Sequence, residues 1–117
     1  MKRSEHLTKA QHNENFFQKL DTTTTDFRDW VVVGIFYAAI HYYESYFALE
    51  GKHAGTHNKA ERWISNDKRI CDTYFDYREL KQYRLKASYE DKKFTSEEIK
   101  RFILPKLENI KNKILSL

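Results

Sequence analysis

Hydrophobic positions are spread very unevenly along this chain. The densest run is residues 29–49, DWVVVGIFYAAIHYYESYFAL, where nearly every position is aliphatic or aromatic. As a helix it would be about 30 Å long, the diameter of a small domain. A helix apolar on most sides is either a central buried rod or a membrane span. Asp29, His41, Glu44 and four tyrosines within the run, with Glu50 just after it, argue for the buried rod of a bundle. No positively charged start leading into a short apolar core resembles a signal peptide. At 100° per residue Trp30, Gly34, Tyr37, His41, Glu44 and Ala48 fall on one narrow stripe. Tyr37, His41 and Glu44 therefore form a polar seam on a greasy rod, and unpaired buried polar groups are expensive. The rest of the chain has to supply partners for that seam.

The remaining patterns read as helices joined by short connections. Residues 4–20 form a first helix with Leu7, Phe16, Phe17 and Leu20 toward the core. The threonines at 22–25 interrupt it, so residues 1–25 are the first helix and its connection. Thr25 or Asp26 then starts the central helix, 26–51. Gly51 can take the left-handed position that stops it. After a loop at 52–56, Thr56 caps a shorter helix at 57–66 with Ala60, Trp63 and Ile64 inward. A fourth helix covers about 70–91, with Leu80, Tyr83, Arg84 and Ala87 on one arc. Thr95 and Glu98 make a capping box. The last helix carries Ile99, Phe102, Ile103, Leu107, Ile110 and Ile114 on one stripe, and Pro105 predicts a kink or a hydrogen bond lost one turn earlier. The expectation is one all-α domain over 1–117, an antiparallel four-to-five-helix bundle in which four helices are long.

Composition narrows this further. Three glycines and one proline are too few for the turns of an all-β fold. The lone Cys71 can form no internal disulfide and no cysteine-based zinc site, which suits the cytosol. It is expected as a small, buried or half-buried hydrophobe. The net charge of +4 is unevenly placed, with an acidic stretch at 21–51 between basic flanks. That pattern suits nucleic acid or an acidic partner, and it also suits an ordinary soluble helical protein.

Three constellations could carry chemistry. His41 and Glu44 on the seam could form a metal site or a general base, or be a core histidine satisfied by its neighbours. The fourth and fifth helices contain no histidine, so neither a metal nor a cofactor is expected. His57 and Arg62, with His53 before them, could bind phosphate or move a proton near neutral pH. Their plainer reading is a helix terminus and a solvated charge. In the group of Tyr83, Arg84 and Tyr89, an arginine on a core face must find an anion: Glu44, Asp29 or a phosphate. A structural ion pair to Glu44 is the plainer reading there.

Three segments in this order resemble the HEPN domains, helical modules associated with nucleotides and RNA. They are FYAAIH (36–41), GKHAGTHNKAER (51–62) and LKQYRLKASY (80–89). The resemblance covers about residues 27–115. It implies a helical bundle that forms a homodimer and needs no cofactor. It also implies RNA or nucleotide association, often beside a small nucleotidyltransferase partner in toxin–antitoxin or defence systems. Catalytic members are metal-independent ribonucleases carrying an arginine followed four to six residues later by histidine. No arginine here has a histidine at that spacing, so the nuclease motif is not carried over. The positions that match the broader pattern are His41, His57, Arg62, Arg84 and Tyr89, as binding residues. An active ribonuclease would have to use a non-standard set from His57, Arg62 and Arg84. A purely structural interaction bundle is the third reading.

Overall fold

The computed structural model describes residues 2–89 and 92–117. Among them every regular element is a helix. Helix α1 (Arg3–Gln18) and helix α2 (Arg28–Leu49) form an antiparallel hairpin, in which His6 meets His41 near one end and Phe17 meets Gly34 near the other. Helix α3 (His57–Asn66) is short. A single 3-10 turn, Cys71–Thr73, leads into helix α4 (Tyr74–Tyr89). Helix α5 covers 96–115 as three continuous pieces: Ser96–Glu98, a π stretch Ile99–Ile103, and Leu104–Leu115. Helix α2 packs against α1, α4 and α5 and is the centre of the bundle. Its residues Val31, Val32, Ile35, Phe36, Tyr43, Tyr46 and Phe47 are buried. No helix among the described residues is long and apolar enough to cross a membrane.

Local signals explain most of the boundaries. Gly51 has φ +71°, and its N–H donates to the Ala48 carbonyl while that of Lys52 donates to Phe47. This closes α2 with the left-handed stop that glycine allows. Thr56 Oγ1 accepts from the Lys59 amide and starts α3. The Thr95–Glu98 capping box is complete on both sides.

The structure departs from the pattern in five places. Helix α2 starts at Arg28 behind Phe27, with no side-chain cap. The threonines make their own turn instead, in which Asp21 accepts from the Thr23 amide and hydroxyl. Arg28 then donates to the Thr22 and Thr23 carbonyls. Phe16 points outward, and the buried face of α1 is His6, Ala10, Glu14 and Phe17. Just ahead of Pro105, α5 widens into the π stretch, which the pattern did not predict. The widened turn brings Ile99 and Ile103 inward and leaves Phe102 55% exposed. Cys71 is exposed rather than buried, because it lies in the 3-10 turn ahead of α4. The expected extension of the fourth helix over 90–91 falls outside the described residues.

Candidate functional site

The seam on α2 is real, and each of its polar groups meets a different partner. Tyr37 Oη accepts from Arg84 Nη2 at 3.1 Å. His41 Nδ1 lies 3.3 Å from His6 Nδ1. Glu44 Oε2 lies 3.3 Å from His53 Nδ1. Tyr37 and Glu44 are two turns apart, about 10 Å along the axis. An arginine that reaches Tyr37 therefore does not also reach Glu44. The expected Arg84–Glu44 ion pair does not form, and the seam divides into two separate sites.

The first site is cationic. The Arg84 guanidinium lies over the rings of Phe36 and Tyr37, 5.9 and 5.7 Å from their centres. Its Nε is buried and has no hydrogen-bond partner. The His57 ring meets Phe36 edge-on at 5.5 Å. Burial, followed by the positive charges of Arg84 and Lys81, holds the His57 imidazole below its ordinary pKa. Lys81 is paired with Glu61 at 3.0 Å, but among the described residues no carboxylate pairs with Arg84. A buried guanidinium N–H left unsatisfied costs about 1–3 kcal/mol. Two cationic or protonatable groups thus converge on one half-buried notch, and among the described residues no anion meets Arg84 there.

The second site is a cluster of imidazoles around one carboxylate. His6 is only 3% exposed and Glu44 only 8%. His6 Nε2 has no partner at all, and Glu44 Oε2 has no well-formed hydrogen bond despite His53 nearby. The His6 and His53 rings stack 6.1 Å apart. Burial first, then His41 and His53, push the His6 pKa down to about 4, so its imidazole is neutral at physiological pH. One ligand atom each from His6, Glu44 and His53 lie within 4.8 Å of one another, close enough to share a metal ion.

The structure brings His57 and Arg84 together and adds Tyr37, which the matched set did not include. It places His41 in the other cluster, against His6. Arg62 is exposed on α3, about 140° around the helix from His57. Tyr89 ends α4 and is 76% exposed, about 140° around from Arg84. The five candidates therefore do not share one pocket. His6 was missed because the core positions expected of the first helix were Leu7, Phe16, Phe17 and Leu20, and only the hairpin register carries His6 to Glu44. A hollow of about 430 Å³ lies elsewhere, between the start of α2 and the Lys92–Phe94 segment, and no candidate residue lines it. The chain matches no protein-family model, no curated protein and no solved structure.

Proposed function

We propose that this chain is a HEPN-like helical module that binds the phosphates of RNA or of a nucleotide in the notch between α2, α3 and α4. Arg84 anchors the phosphate, and His57 and the Tyr37 hydroxyl stand beside it. The observation that carries this reading is the buried Arg84 Nε, held beside two aromatic rings and meeting no anion among the described residues. The resemblance of the three segments supports action as a homodimer beside a nucleotidyltransferase-type partner in a toxin–antitoxin or defence setting. The lone cysteine supports a cytoplasmic location.

Single-stranded RNA binding, followed by gel shift or fluorescence anisotropy, tests the notch. Arg84→Met is expected to weaken binding roughly 10- to 100-fold, the worth of one or two charge-assisted hydrogen bonds. Its melting temperature should hold or rise, since the substitution removes an unsatisfied buried donor. Wild-type affinity in both Arg84→Met and His57→Gln would remove the notch as the site.

The same notch predicts a pH dependence. In the free protein His57 is held neutral by burial, Arg84 and Lys81, while Glu61 is occupied by Lys81. A phosphate oxygen beside it favours the imidazolium, so binding takes up a proton. Affinity should therefore rise as the pH falls from about 8 to about 6, and His57→Gln should flatten the profile. A flat wild-type profile means that His57 does not touch the phosphate.

The neutral imidazole beside a cation also favours a second reading, RNA cleavage with His57 as general base. Incubation with several RNAs in EDTA separates the two. Cleavage that disappears in His57→Ala supports catalysis, and intact RNA leaves the binding module.

A further inference from the structure

The geometry points to a divalent metal site, suited to Zn²⁺, built from His6, Glu44 and His53, with His41 holding His6 in position. It is independent of the phosphate notch and uses none of its residues. The three ligands come from three places that the hairpin brings together: the first turns of α1, the last turns of α2, and the loop that the Gly51 stop turns back toward α1.

Four observations converge on this cluster. His6 Nε2 and Glu44 Oε2 are both buried and lack hydrogen-bond partners. A cation would satisfy both lone pairs at once. The ligand atoms of His6, Glu44 and His53 lie within 4.8 Å of one another, and His53 Nδ1 is 3.3 Å from Glu44 Oε2. A tetrahedral centre with bonds of about 2.0 Å has edges of about 3.3 Å between its ligand atoms. One edge is therefore already at bonding geometry, and the His53 side chain, 62% exposed, is free to close the others.

The fourth observation concerns the tautomer. His6 Nδ1 faces His41 Nδ1 at 3.3 Å. If His6 donates there, its Nε2 carries no proton and presents a lone pair. His41 then acts as the hydrogen-bonded support that metal-ligating histidines commonly have, and it is a positioning residue rather than a ligand. Two imidazoles and one carboxylate suit Zn²⁺ and its transition-metal neighbours, whereas Ca²⁺ and Mg²⁺ prefer all-oxygen sites. Three protein ligands leave a fourth position for water or a ligand oxygen, and the exposed His53 side leaves that position reachable.

The test uses the full chain stripped with EDTA and dialysed, then titrated with Zn²⁺ alone. One equivalent per chain should bind, and the melting temperature should rise by several degrees in excess Zn²⁺. Co²⁺ in place of Zn²⁺ should give the visible absorption of a four-coordinate, nitrogen- and oxygen-ligated ion. His53→Ala, at an exposed position, should weaken Zn²⁺ at least tenfold and shrink the thermal shift at a given Zn²⁺ concentration. His41→Phe should weaken it roughly 10- to 100-fold through the loss of His6 orientation. His12→Ala, on the exposed side of α1, should behave as wild type, and so should Arg84→Met. The site is overturned if the wild-type chain binds no stoichiometric Zn²⁺. It is equally overturned if His53→Ala and Glu44→Gln both bind it with unchanged affinity.

Discussion

Phe36→Ala is expected to lower the unfolding free energy by about 4 kcal/mol, roughly a quarter or more of what a domain of this size commonly has. Phe36 is fully buried at the centre of α2. Its ring meets His57 at 5.5 Å and Tyr77 at 6.1 Å, and the Arg84 guanidinium lies over it. Truncation opens a cavity whose lining belongs to three helices, so collapse around it is limited. The same cavity releases the two groups of the cationic notch, and RNA binding should fall even where the variant is still folded. Urea unfolding checks the first effect, and anisotropy at low temperature checks the second. Phe36→Leu, which keeps most of the volume, should cost less than about 1.5 kcal/mol. If the alanine variant is as stable as the leucine variant, Phe36 is not the keystone of this packing.

Glu14→Ala is expected to cost about 3 kcal/mol, because it breaks a buried polar junction shared by α1, α2 and α5. Tyr42 Oη donates to Glu14 Oε2 at 3.0 Å, and Lys111 Nζ reaches the same oxygen at 3.2 Å. Burial and the neighbouring Glu14 carboxylate push the Tyr42 phenol well above its ordinary pKa, so it remains a donor throughout the accessible range. Alanine leaves a buried hydroxyl and a half-buried ammonium without partners. Glu14→Gln keeps an acceptor for Tyr42 and loses only the charge, and should cost about 1 kcal/mol. Equal losses for alanine and glutamine would show that Lys111, and not the hydroxyl, dominates the junction.

Much of the bundle was legible because its signals are local. A glycine that can turn left-handed, a threonine three residues before an amide, and a capping box each act within one turn. Gly51, Thr56 and Thr95 therefore ended or began helices where expected. Legibility failed where local signals competed. The Asp21–Thr25 segment satisfies its own amides and needs no helix to cap, so the start of α2 moved to Arg28. Pro105 predicts a kink or a hydrogen bond lost one turn earlier, and the helix there takes a wider π turn that leaves Phe102 off the buried stripe.

The candidate site was harder to read, because its residues lie far apart in the chain. Helical periodicity placed Tyr37, His41 and Glu44 on one seam, and it placed Arg84 against the core. It could not say which partner each would meet. That depended on the register of the α1–α2 hairpin, where His6 lies about as far before the Thr-rich turn as His41 lies after it. It also depended on the loop beyond Gly51, which carries His53 back to Glu44.

The amino-acid pattern alone determined an all-helical chain wrapped around one apolar rod, because burial period and capping chemistry are set by neighbours in sequence. Only the tertiary structure decided that the rod's polar seam serves two sites, since two turns of helix separate Tyr37 from Glu44. No side chain spans that distance, so Arg84 with His57 gathers at Tyr37, while His6, His41 and His53 gather around Glu44.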